Sequence, residues 1–175
     1  MPTDGYGVQD IKKELQHLSA AQLTELVLKL VRYKKENKEL AAYLLFVADD
    51  EVAFIEGSKH QLMTMFYGLP TQPYNTAKAL RKVLRLITKL SRFSGSKTVE
   101  ITLLIAFCFY YIEFVDKRNG FKPLRNILVK QLEKVAKLIS KLHEDIQGDF
   151  AGDYNALIND ADEKLGWFNK FEHLL

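Results

Sequence analysis

Residues 75–92 read NTAKALRKVLRLITKLSR. Leu80, Val83, Leu84, Leu86, Ile87 and Leu90 recur at spacings of three and four, the period of a helix with one face in a core. The remaining positions are largely cationic. At 100° per residue, Lys78, Arg81, Lys82, Arg85, Lys89 and Arg92 fall within an arc of about 100°. No acidic residue occurs between Glu56 and Glu100, so no carboxylate within the helix offsets them. Six pairs of these cations stand three or four residues apart, at roughly 0.2–0.5 kcal/mol of repulsion each. The total, ~1–3 kcal/mol at low salt, is a meaningful part of a typical domain stability of ~5–15 kcal/mol.

Outward from this helix, Gly68-Leu69-Pro70-Thr71-Gln72-Pro73 reads as a loop, with the helix starting at Asn75 or Thr76. Ser94-Gly95-Ser96 ends it, Gly95 being suited to a left-handed cap. Thr98 to Val115 is apolar on nearly every side and predicts the most buried helix. Its core, Ile101 to Ile112, is too short to span a bilayer. After a predicted turn at Asn119-Gly120, Pro123 fits a first helical turn. Leu124, Ile127, Leu128, Leu132, Val135, Leu138, Ile139, Leu142 and Ile146 then make one long stripe, and Tyr154 to Leu175 reads as a last helix.

Upstream, Val8 to Leu18 predicts a short helix. Ser19 and Gln22 form a capping box for a second helix, carrying Leu23, Leu26, Val27, Leu30 and Val31 inward and ending in Lys34-Lys35-Glu36-Asn37. Leu40 to Val47 follows, then a helix capped by Asp49 or Asp50 with Val52, Ile55, Leu62, Met63 and Phe66 as core candidates. No segment alternates with period two between hairpin signals. The fold class is therefore all-α: a bundle of about eight helices, with a short α-solenoid as the second choice. The 175 residues are expected to form a single domain over 1–175, with 1–7 as a flexible N-terminus. That N-terminus has no apolar run or basic lead, so a cytoplasmic location is the default expectation.

The net charge of +3 conceals a segregation. Residues 1–56 carry −3, 57–99 carry +8, 100–142 carry +4 and 143–175 carry −6. A basic middle and an acidic end predict contact with an anionic partner, or with a second copy, more directly than the overall charge does.

Constellations for chemistry are sparse. A lone cysteine, Cys108, lies among apolar neighbours and excludes an internal disulfide or a multi-cysteine zinc site. His17, His60, His143 and His173 are far apart in sequence. Glu14 and His17 give a single Glu-x-x-His where a di-iron bundle needs two. No metal and no cofactor is expected. Asp149, Asp153, Asp160 and Asp162 are dense but lack the register of a calcium loop. Ser94-Gly95-Ser96-Lys97-Thr98 lacks the glycines and the preceding strand of a nucleotide-binding loop. It leaves a helix N-terminus flanked by Arg92 and Lys97, where plain capping competes with an inorganic anion.

Arg32-Tyr33-Lys34-Lys35-Glu36-Asn37-Lys38-Glu39-Leu40, Tyr43-Leu44-Leu45-Phe46, Ser94-Gly95-Ser96-Lys97 and Leu142-His143-Glu144-Asp145 resemble a family of small uncharacterised bacterial all-helical proteins. The resemblance covers most of the chain after the first helix and implies no activity or site residue.

The expected function is a non-enzymatic binding or scaffold module. Lys78, Arg81, Lys82, Arg85, Lys89, Arg92 and Lys97 would contact nucleic acid, a phosphorylated ligand or an acidic protein. The alternatives are a small enzyme with a carboxylate or phosphate site between helices, and homo-oligomerisation pairing the basic middle with the acidic C-terminal end.

Overall fold

A computed structural model describes residues 5–117 and 120–175, among which all regular structure is helical. The turn expected at Asn119-Gly120 and the segment 1–7 fall partly outside these residues. In chain order the helices are α1 (Val8–Leu15), α2 (Ala20–Tyr33), α3 (Lys35–Phe46), α4 (Glu51–Tyr67), α5 (Pro73–Ser94), α6 (Lys97–Phe114), α7 (Lys122–Ile139) and α8 (Glu144–Lys164). A 3-10 turn, Lys170–Glu172, follows. Contacts cluster into two units, residues 1–47 and 48–175.

The second unit is built on α6. Nine of its residues, Val99, Ile101, Leu103, Leu104, Ile105, Phe107, Cys108, Tyr111 and Ile112, are buried. At roughly 1.5–3 kcal/mol for each large apolar side chain taken from water, this helix is stable only when enclosed. Four helices enclose it. Each of α4, α5, α7 and α8 packs on α6, while α4 meets α5, α5 meets α7 and α7 meets α8. Their order around the axis is therefore α4, α5, α7, α8. Between α8 and α4 the residues Thr102, Ala106, Phe109 and Tyr110 of α6 are half-exposed, flooring a groove of about 280 Å³ with Lys59 and Asp153 on its rims.

Aromatic packing ties α4 to α6. The Phe66 ring meets Phe107 at 5.4 Å and Tyr110 at 5.6 Å, both edge-on, an arrangement favoured by the ring quadrupoles. After α8 the chain is held by polar bonds. Tyr154 Oη donates to the His173 carbonyl at 3.0 Å, and the Lys170 N–H donates to Asp162 Oδ1 at 3.1 Å.

Several boundaries differ from expectation. The stripe ending at Ile146 divides after Ile139, because His143 accepts the Asp145 N–H and Glu144 and Asp145 favour a new helix N-terminus. The last helix therefore starts at Glu144, ten residues before Tyr154, and stops at Lys164. Pro73 opens α5 two residues before Asn75, its missing N–H costing nothing there.

In the first unit, Ser19 and Gln22 form the expected capping box. The polar run begins α3 rather than ending α2. Only Lys34 is extended, and Asn37 Nδ2 donates to the Leu30 carbonyl at 2.8 Å, capping α2 from the next helix. Among residues 5–47 only Tyr43 is buried; Leu30 is 52% exposed and Phe46 83%. A stretch with so little buried area opens at low free-energy cost. Amide hydrogen exchange is therefore expected to show weak protection in α2 and α3 and near-global protection in α6; equal protection would refute this.

Burial also shapes the response to alkali. Desolvation raises the Cys108 thiol far above its ordinary range, raises Tyr111, and pushes Tyr154 up to about 12. The native state thus holds these protons more tightly than the unfolded chain, whose Cys ionises near ~8.5 and Tyr near ~10. The stabilisation is complete below those unfolded values and is lost as pH rises, by up to about 1.4 kcal/mol per pH unit for each group. Urea midpoints should be level to about pH 8.5 and then fall, and Cys108→Ala should delay the fall to about pH 10.

Candidate functional site

Helix α5 is positioned by its buried face. Thr76, Ala77, Leu80, Val83, Ile87 and Leu90 are buried, so the opposite face points to water. Its start is fixed by Thr76, whose hydroxyl donates to the Pro70 carbonyl at 2.6 Å and to the Gln72 carbonyl at 2.9 Å. Its end is fixed by Gly95 at φ +65°, the left-handed conformation that favours glycine.

On the water side Lys78, Arg81, Lys82, Arg85 and Arg92 are exposed, as is Lys97 at the start of α6. Lys89 is half-buried, its ammonium 5.9 Å from the Phe93 ring centroid. Among the described residues, Lys78, Arg81, Lys82, Arg85, Arg92 and Lys97 form no ion pair. With a rise of 1.5 Å per residue, Lys78 to Arg92 spans about 21 Å. The six α5 residues therefore lie along one ridge, five of them exposed, and Lys97 sits beyond its C-terminal end.

The acidic C-terminal segment does not neutralise this ridge. Helix α8 packs on α6 and α7. Asp160 holds Lys164 at 2.9 Å, and Lys164 also approaches Glu113 at 3.7 Å, so its own ammonium pKa is raised, first by the Asp160 hydrogen bond. Asp149, Asp153 and Glu163 are exposed on α8.

The α6 N-terminus is capped by its own chain. Ser96 Oγ accepts the Val99 N–H at 3.4 Å and lies 2.6 Å from Thr98 Oγ1, which in turn donates to the Glu51 carboxylate at 3.4 Å. A carboxylate of the same chain, Glu51, thus reaches the first turn of α6. Lys97 is exposed beside this cap.

Elsewhere, no group of three or more His, Cys, Asp or Glu among the described residues could hold a metal ion. His17 in the turn after α1, His60 on α4 and His143 at the α8 N-cap are exposed and separate. A cleft of about 630 Å³ along α1 and α2 is lined by Tyr6, Ile11, Leu15, Leu18 and Leu26, with Asp10, Lys13 and Glu14 at exposed positions. A smaller one of about 240 Å³ beside Thr76 contains a single carboxylate, Asp116. Neither brings together a general acid and base in a buried polar setting.

A second basic row, which the sequence reading passed over, lies along α7 and the turn that follows it. Lys130, Lys137 and Lys141 are exposed, and Lys134 is half-buried with its ammonium 2.6 Å from Glu100 Oε1. Their spacing of four, three and four was the signal for it.

No protein-family model, curated protein or solved structure matches this chain, so the likeness noted above rests on its quoted strings alone. No helix among the described residues is long and apolar enough to cross a membrane.

The α5 cations have a consequence for stability. Arg85→Glu removes three like-charge pairs, with Arg81, Lys82 and Lys89, and creates three opposite ones. Urea titration should show a gain of about 1–3 kcal/mol at low salt, shrinking toward zero near 1 M salt. A loss of stability at low salt would mean that Arg85 has a favourable interaction that outweighs this repulsion.

Proposed function

We propose that this protein is a non-enzymatic binding module whose α5 face contacts the phosphate backbone of a nucleic acid. The observation that carries the reading is a ridge of cations on α5 left exposed and without ion pairs at Lys78, Arg81, Lys82, Arg85 and Arg92. Holding like charges together on one helix costs stability, and an external polyanion reverses the sign of that cost. Each phosphate neutralised releases condensed counterions, so the energy grows with the number of cations that reach the backbone at once. A straight ridge about 21 Å long offers several phosphates at a time. Base readout is not part of this reading, because α5 lies on the bundle as one of four outer helices and not as the second helix of a helix-turn-helix pair.

An acidic protein and a second copy meeting this face through exposed Asp149, Asp153 and Glu163 are the rival partners. Mixed-sequence nucleic acid is expected to bind at low salt, with log K falling against log salt at a slope of about −3 to −5, as for three to five phosphate contacts. The triple variant R81E/R85E/K89E should bind at least a hundredfold more weakly. Unchanged binding by that variant removes α5 from the interface. No binding at 50 mM salt removes nucleic acid, and salt-reversible self-association in sedimentation would then select the second copy.

A further inference from the structure

We propose that α7 adds a second row of cations to the α5 ridge, and that the two rows together grip the backbones of a double-helical nucleic acid. This rests on the reading of α5 above and names the form of its partner.

The placement follows from the packing order. Both α5 and α7 lie against α6 and against each other. A two-residue turn at Gly95-Ser96 reverses the chain between α5 and α6, and the Lys134–Glu100 pair sets the C-terminal half of α7 beside the N-terminal turn of α6. Helices α5 and α7 therefore run in the same direction, with Lys134 level with the last turns of α5, where Lys89 and Arg92 sit.

One flank of α7 is turned to α8 and the C-terminal tail. The Arg125 guanidinium lies 5.1 Å over the Trp167 ring, and the Glu133 carboxylate is close enough to Tyr154 to raise its hydroxyl. The water side of α7, beyond that flank, carries Lys130, Lys134 and Lys137 within an arc of about 60°, and Lys141 follows in the turn after the helix. From Lys130 to Lys137 the helical part of this row is about 10 Å long, and it starts beside the last turns of the α5 ridge on an axis about 8–10 Å away. The carboxylates facing this surface are few. Glu100 is engaged with Lys134, and Glu133, exposed four residues before Lys137, borders the row without an ion pair to it among the described residues.

Two parallel rows of point charges suit two backbones held at fixed separation. A single strand is gripped differently, by aromatic faces on which successive bases stack. Here α7 contains no aromatic residue, Phe93 is half-buried against Lys89, and only Tyr74, 64% exposed, offers a ring at the α5 start.

The test compares the full chain with K130E/K137E/K141E and with R81E/R85E/K89E, each checked for the parent's helical content and a cooperative thermal transition. Probes are a 20-base-pair mixed duplex, as DNA and as RNA, and its single strands, titrated from 50 to 300 mM salt. The α7 variant is expected to weaken duplex binding at least tenfold and to make the salt slope shallower by about 2–3, one step for each lysine lost. The parent should bind a duplex at least tenfold tighter than the single strand. If the α5 variant loses binding while the α7 variant matches the parent, this proposal fails and the α5 reading stands. Equal affinity for single strands overturns the double-helical partner. If neither variant changes binding, both readings fall.

Discussion

Burial of α6 on nearly every side is the constraint from which the second unit follows. A helix whose apolar residues occupy most of its circumference has little arc to give to water, here the strip of Thr102, Ala106, Phe109 and Tyr110. Val99, Phe107, Cys108 and Ile112 are spread over about 220° around the axis, and all are fully excluded from solvent. Four neighbours are needed to enclose such a helix, and α4, α5, α7 and α8 supply them. Each needs only one apolar face to do so.

That division of labour leaves the outer faces free to carry charge. The buried side of α5 does the work of packing, so its other side can hold six cations with no carboxylate between them. Salt weakens the repulsion but does not abolish it at physiological ionic strength. On α8 the same freedom is used with the opposite sign. Because α7 separates α5 from α8 around the bundle, the two charge populations do not cancel, and the unit is electrostatically polar.

Much of the architecture was readable because it depends on local patterns. The apolar period of residues 80–90, the capping box at Ser19 and Gln22, the left-handed cap at Gly95 and the all-round apolarity of 98–115 each have a physical cause within a few residues. The errors share a cause as well. The stripe from Leu124 to Ile146 keeps its spacing across the turn at 140–143, so periodicity could not show that the helix divides. The run at Lys34–Asn37 looked like an ending because it is polar, whereas its Asn37 caps the preceding helix from within α3. The apolar stripe of α2 predicted burial that most of residues 5–47 do not have.

By itself the chain determined helix content, the identity of the central helix and the cationic arc of α5, because each is set by side-chain chemistry at spacings of three and four residues. Which helices neighbour which was decided only in three dimensions. Sequence distance does not say that α7 lies beside α5, that Glu100 engages Lys134, or that Glu51 closes the start of α6. The exposure of the α5 cations was likewise a tertiary matter, since an arc of charge on a helix becomes a surface only when the carboxylates that could cover it are packed elsewhere.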